Sequence, residues 1–232
     1  MKYTLCWASE FCWLLLSIAC VLYKTQDKDF ILCTSILLDA MFLRHYGMPL
    51  ILLNKPFQVM CQFSAHLTRR TLADYLDIPN IYPAGRLDAD SEGLLLLTDD
   101  GRLQHAISHP NHKQPKTYIV QVEGRPDPAM LTRLRNPLDL GDFITQSCIV
   151  RQIYQPDWLW PRHPPIRERN DHPTSWLAIT LSEGKNRQVR RMTAAVGLPT
   201  LRLVRVAIGN FSLQSHPLMP GDWCAVSPAE LR

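Results

Sequence analysis

Ten glycines are spread over 232 residues, against eighteen prolines. Flexible Gly-rich loops are therefore scarce, and extended Pro-bearing loops are expected instead. No G-x-G-x-x-G and no phosphate-loop sequence occurs, so nothing supports a nucleotide cofactor, and no cofactor is expected. The apolar run from Phe11 to Tyr23, interrupted only by Ser17, has 13 residues. A membrane-spanning helix needs about 20, so no membrane association is expected. The seven cysteines form no C-x-x-C pair, and an odd number in a long, apolar chain argues against a disulfide framework. His105, His109 and His112 have ligand-like spacing, but Pro110 breaks any helix between them and no Cys or acid lies in register. They read as a solvated helix end, and no metal site is expected. Internal repeats and low-complexity segments are also lacking.

What remains is a folded chain with 46% hydrophobic and 20% charged residues and a net charge of +4, neither disordered nor collagen-like. The charge is unevenly placed. Residues 1–48 hold four basic and four acidic side chains, and four of the seven cysteines. The other 184 residues hold 21 basic against 17 acidic groups, so any function that needs positive charge lies there. We read residues 1–48 as an atypical apolar extension, with the natural start expected at Met41 or Met48 and an export signal as the alternative. Residues 49–232 are expected to form one cytoplasmic domain.

Within that domain Leu50–Leu53 is a short apolar run that reads as a buried strand, broken by Asn54-Lys55-Pro56. Arg70–Leu76 has the pattern of a short amphipathic helix. Leu94–Leu97 is a strand, and Leu103, Ala106 and Ile107 indicate a helix. Thr117–Glu123 alternates, with Tyr118, Val120 and Val122 on one face. Asp127-Pro128 starts a helix that runs to Arg135. Ser147–Tyr154, Trp176–Leu181, Thr200–Ile208 and Asp222–Val226 are expected strands, and Asn186 is expected to cap a helix through Val196. Strands and helices mix without a βαβ rhythm. The fold class expected is α+β, with a mixed, largely antiparallel central sheet and flanking helices.

Two blocks carry chemistry. In Gly85-Arg86-Leu87-Asp88-Ala89-Asp90-Ser91-Glu92-Gly93-Leu94-Leu95-Leu96-Leu97-Thr98, an acid-bearing loop runs straight into a buried strand. A carboxylate at the mouth of a rigid element is well placed to act on a substrate. The same acids could instead only cap backbone N–H groups, and the pattern alone leaves both readings open. In the second block, Glu183-Gly184-Lys185-Asn186-Arg187-Gln188-Val189-Arg190-Arg191-Met192, the arginines cluster through i+3 and i+4 spacing while Val189 and Met192 face elsewhere. Residues 162–205 hold nine basic against three acidic residues, a footprint for phosphates rather than a neutral ion-paired face. Trp158, Trp160 and Trp176 are interleaved with Arg162, Arg167 and Arg169, which suits stacking on unpaired bases, with Trp176 the one most suited to burial.

Gly85-Arg86-Leu87-Asp88 with Ser91-Glu92-Gly93-Leu94-Leu95 resembles the signature of the RsuA-type pseudouridine synthases. Lys116-Thr117-Tyr118 is similar to their second motif, the Glu183–Met192 block to their third, and Leu201-Arg202-Leu203-Val204-Arg205 to the strand that follows. Order and spacing agree over residues 49–226. The stretches around Trp158–Arg169 and Thr174–Leu177 look most like members that act on large-subunit rRNA. Many relatives carry an N-terminal S4 RNA-binding domain, which residues 1–48 do not resemble, so no S4 domain is expected.

The resemblance implies a pseudouridine synthase fold and a cofactor-free isomerisation of uridine in 23S rRNA, by a chain expected to be a monomer. It assigns the ionised carboxylate that meets the nucleotide to Asp88, the stacking aromatic to Tyr118, and the arginine that keeps Asp88 ionised to Arg190. Arg86 is implied as the side chain that fills the space left by the extruded base. Lys55, Lys116, Arg187, Arg191, Arg205 and Trp160 are the remaining candidates for RNA contact. Two other classes compete: an rRNA-binding factor with a silent site, and a hydrolase pairing Asp88 with Asp90 or Glu92.

Overall fold

The computed structural model describes residues 50–108, 114–166 and 172–231. The extension 1–48 and the expectations for His109, His112, Arg167 and Arg169 lie outside the described residues. The second of the chain's two compact units begins at Leu50. No helix among the described residues is long and apolar enough to cross a membrane.

Among the described residues, nine strands form one mixed sheet: β1 (Leu50–Lys55), β2 (Tyr82–Pro83), β3 (Glu92–Thr98), β4 (Lys116–Glu123), β5 (Ile149–Ile153), β6 (Thr174–Leu181), β7 (Thr200–Ile208), β8 (Phe211–Ser212) and β9 (Trp223–Val226). Their order is β5-β6-β4-β7-β3-β1-β9, with β2 on β3 and β8 on β7. All pairings are antiparallel except β3 with β7, which are parallel through Glu92–Val204 and Gly93–Arg205. The largely antiparallel α+β expectation therefore matches the sheet. Among the described residues, three α-helices flank it: α1 (Gly101–Ser108), α2 (Pro128–Arg135) and α3 (Gln188–Ala195).

The apolar runs explain the centre. Every residue of β1 and β3 is buried, because both faces of these strands are covered. Leu50, Leu52, Leu94, Leu96, Ile119 and Val204 pack in one core with Trp160 and Ile107. Tyr118, Val120, Val122, Leu203, Val189 and Met192 pack in the other, which joins β4 and β7 to α3. At the start of α2, Asp127 accepts a hydrogen bond from the Met130 amide at 2.7 Å, with Pro128 at the first position.

The structure differs from the expected elements in three places. β1 does not break before Asn54 but runs through Lys55, whose partner across the ladder is Gly93. The expected helix over Arg70–Leu76 is one 3-10 turn, Leu72–Asp74, because Thr71 and Asp74 close a capping box over so short a segment. Asn186 does not cap α3. Arg187 occupies the cap with φ 48 and no capping side-chain bond, which swings its guanidinium out of the helix and toward the aspartate loop.

Candidate active site

Asp88 stands three residues after the left-handed Gly85 turn and four before β3. Its carbonyl accepts the Ser91 amide at 3.1 Å, and the Ala89 carbonyl accepts the Gln58 amide at 2.7 Å. The loop is thus pinned at both ends while the Asp88 carboxylate stays open to a cleft of about 1000 Å³. Arg86, Lys116, Tyr118, Arg187 and Arg205 line the same cleft. Sequence motifs separated by more than a hundred residues therefore meet around one carboxylate.

Arg187 spans the two acids of the loop. Its guanidinium donates to both Asp90 oxygens, at 3.2 and 2.9 Å, and lies 3.5 Å from Asp88 Oδ2. Arg190 is more enclosed; its Nη2 donates to the Asp90 carbonyl at 2.7 Å and its Nε is 3.5 Å from Asp90 Oδ2. In this structure the guanidinium in ion-pair contact with Asp88 is that of Arg187, while Arg190 bonds directly to Asp90 and the Asp88 charge still acts on it. Burial alone would raise the Asp90 pKa, but Arg187 and Arg190 overcome it and hold the group below the usual carboxylate range. An acid kept ionised in this way is a poor proton donor. Glu92 is fully buried in an ion pair with Arg202 at 2.7 Å, facing the other core. Neither acid is disposed to act with Asp88 as a hydrolytic pair, which argues against the hydrolase alternative.

The floor beside Asp88 is set by strand register. Lys55 pairs with Gly93, Gly93 with Arg205, and Arg205 with Tyr118, so one row crosses β1, β3, β7 and β4. Directly paired residues point to the same face, which places Tyr118 and Arg205 side by side. Gly93 makes the row possible: a Cβ there would overlap the Arg205 carbonyl, and its φ is +106. Gly93→Ala is expected to cost about 2–3 kcal/mol, read as a lower midpoint in urea unfolding.

Lys55 does not line the cleft. It is fully buried, and its amine donates to the Pro56 and Val59 carbonyls at 2.9 Å each. It therefore braces the turn after β1, which corrects its expected place as an RNA contact. Burial pulls its pKa from the ordinary 10.5 down to about 8, only partly offset by Cys61 and Glu92. Between these values the unfolded chain holds a proton that the folded chain has released, so this group makes stability rise with pH. Urea unfolding from pH 7.5 to 10 is expected to show the wild type gaining on Lys55→Met as pH rises through about 8.

Trp160 is also corrected. It is buried, with Nε1 donating to Glu92 Oε1 at 3.0 Å and Arg202 stacked 5.8 Å from its ring. A side chain committed to that core has no face left for a base, whereas Trp158 keeps part of its surface exposed. Arg191 braces the 139–144 loop through the Leu140 carbonyl and the Asp142 carboxylate, away from the cleft lining. Lys116 lies in the cleft wall, its amine donating to the Gln114 carbonyl at 3.0 Å, and Arg86 is exposed at the rim. Gln62 and Arg69 also reach the cleft and were not singled out in the sequence, although the Arg69-Arg70 pair was a visible cue. Among the described residues, no group of three His, Cys, Asp or Glu could hold a metal ion.

One open carboxylate among arginines, in a cleft with room for an extruded nucleotide, suits an enzyme that rearranges a base–sugar bond without a hydrolytic pair. Residues 49–195 match the family described as RNA pseudouridylate synthase, and the chain belongs to that family. Over 176 residues it is 57% identical to ribosomal large subunit pseudouridine synthase E of Xanthomonas campestris, a match that covers 75% of this chain and 93% of that one. The protein of the same name from Vibrio vulnificus is 51% identical over 178 residues, covering 77% and 75%. A crystal structure of a pseudouridylate synthase aligns with a TM-score of 0.64 at 28% identity, covering 80% of this chain and 73% of that one. An H/ACA RNP bound to a substrate RNA containing 2'-deoxyuridine aligns at 0.52 with 13% identity over 76% of this chain and 52% of that one, and shares the fold alone.

Proposed function

We propose that this pseudouridine synthase isomerises one uridine of 23S rRNA, with Asp88 as the carboxylate that meets the target nucleotide. The observation that carries the reading is the open Asp88 carboxylate beside Arg187 in a cleft whose floor is Tyr118 and Arg205. The reaction breaks the bond from N1 to C1′, turns the base and rejoins it through C5. The C5 proton is lost and N1 gains one, so nothing is consumed. A carboxylate suits either electron-poor carbon of the nucleotide, and Arg187 lies 3.5 Å from it. Tyr118 presents an aromatic face to the base, and Arg86 at the rim is placed to fill the gap in the RNA stack. Large-subunit rRNA as substrate is supported by the names of the relatives, and a cytoplasmic protein acting as a monomer is part of the same proposal.

Residues 49–232 are proposed as the catalytic domain, in keeping with the compact unit from Leu50 and the family match from residue 49. The test is tritium release from 23S rRNA labelled at C5 of uridine, taken from cells lacking this protein. One equivalent per rRNA is expected. No release from a competent substrate would leave a catalytically silent RNA-binding factor as the better reading.

A further inference from the structure

Two buried polar atoms in the lining of the cleft have no partner among the described residues: Ser91 Oγ and Arg205 Nη2. The second is the more costly. Arg205 is 3% exposed, and its Nε is already used, donating to the Leu94 carbonyl at 2.8 Å. The ion pairs among the described residues do not include it. Its charged neighbours include two further cations, for the Arg205 charge adds to burial in lowering both Lys55 and Lys116. A buried guanidinium N–H without an acceptor has lost its water and gained no partner, which is unfavourable. The fold keeps that cost at one place, beside Tyr118 in the cross-sheet row that Gly93 opens.

We propose that Arg205 is a catalytic residue whose free Nη2–H donates to a carbonyl oxygen of the extruded uracil and stabilises the negative charge reaching that oxygen during the reaction. The inference rests on the pseudouridine synthase reading above. When the C1′–N1 bond breaks, its electron pair goes to the base and spreads from N1 onto the carbonyl oxygens. If a carboxylate instead adds to the base at C6, the electron pair moves onto the C4 carbonyl. Charge therefore arrives at a uracil oxygen by either route, and it leaves when C5 bonds to C1′, the C5 proton departs and N1 takes one up. Arg205 supplies a charged N–H and gives up no proton. A donor fixed in place before the charge forms is the form of stabilisation that contributes most in a dry site.

An RNA phosphate could fill the same donor, and the substrate separates the two. RNA carrying 5-fluorouridine at the target has a base whose anion is already stabilised by the fluorine, so a donor to that anion matters less. Single-turnover rates and half-saturation concentrations are measured for wild type, Arg205→Met and Arg205→Lys on uridine and 5-fluorouridine RNA, with consumption of the parent nucleoside read by nuclease digestion and mass spectrometry. Arg205→Met is expected to slow uridine RNA by about 100-fold with little change in half-saturation, and to slow 5-fluorouridine RNA several-fold less. Arg205→Lys, which keeps a charge, is expected to recover part of the rate. Equal losses on both substrates, or a loss confined to half-saturation, would overturn the proposal in favour of a structural or phosphate-binding arginine. Circular dichroism checks folding, and if Arg205→Met does not fold, the Lys variant carries the same comparison. No turnover of either RNA by the wild type would remove the pseudouridine synthase reading itself, and this role with it.

Discussion

Asp88→Asn is expected to lower pseudouridine formation by about four orders of magnitude or more, with fold and RNA affinity retained. The substitution removes one charge and keeps the shape. The Asp88 carbonyl that accepts the Ser91 amide is unchanged, and the side chain is partly exposed with Arg187 as its charged neighbour at 3.5 Å. Little of the fold depends on the carboxylate, so a large loss of tritium release alongside an unshifted unfolding midpoint would be chemical rather than structural. RNA binding is expected to hold or strengthen slightly, because an anion is removed from a basic cleft. Asp90→Asn is a useful contrast. It removes the charge that holds Arg187 and that faces Arg190 Nε, while Arg190 keeps its bond to the Asp90 backbone carbonyl, and it is expected to impair activity mainly through a misplaced Arg187, with a smaller rate loss than Asp88→Asn. Full activity in Asp88→Asn would remove it as the acting carboxylate.

The difference between these two aspartates shows what the chain displays openly and what it does not. The aspartate loop, the arginine helix and the Lys116–Tyr118 strand were legible because each is a local pattern: an apolar run, an alternation, or a charge cluster at helical spacing. Their meeting in one cleft follows from sheet order, which depends on pairings such as β3 with β7 that no local pattern fixes. Which arginine faces which acid was not legible either. That choice hangs on one backbone conformation, the left-handed Arg187 in place of an Asn186 cap, which redirects a long side chain. Lys55 and Trp160 were misread for a related reason. Both are amphipathic, with polar atoms that ordinarily sit at a surface, and both are buried because specific partners answer them: the Pro56 and Val59 carbonyls for Lys55, and Glu92 for Trp160.

The Glu92 partnership leads to the second large effect. Glu92 opens β3, and its carboxylate accepts two hydrogen bonds from Arg202, at 2.7 and 3.0 Å, and one from Trp160 at 3.0 Å. Both charged side chains are less than 5% exposed. Glu92→Ala would leave the Arg202 guanidinium buried without its counter-charge, and breaking such a pair from one side costs about 3–5 kcal/mol. Trp160→Phe removes one donor and keeps the apolar packing, so its cost is expected to be about 1–2 kcal/mol. Replacing both charges together, as Glu92→Leu with Arg202→Met, is expected to recover much of the loss, since neither charge is then stranded. Urea unfolding of the three variants checks the order. The same variants test the network's place in the chemistry, because Asp88 lies four residues before Glu92 and the loop inherits the position of β3. At temperatures where Glu92→Ala is still folded, the turnover rate is expected to fall while RNA affinity holds. Trp160→Phe is expected to bind RNA as the wild type does; a tenfold loss of affinity with unchanged stability would instead return Trp160 to a stacking role on the RNA.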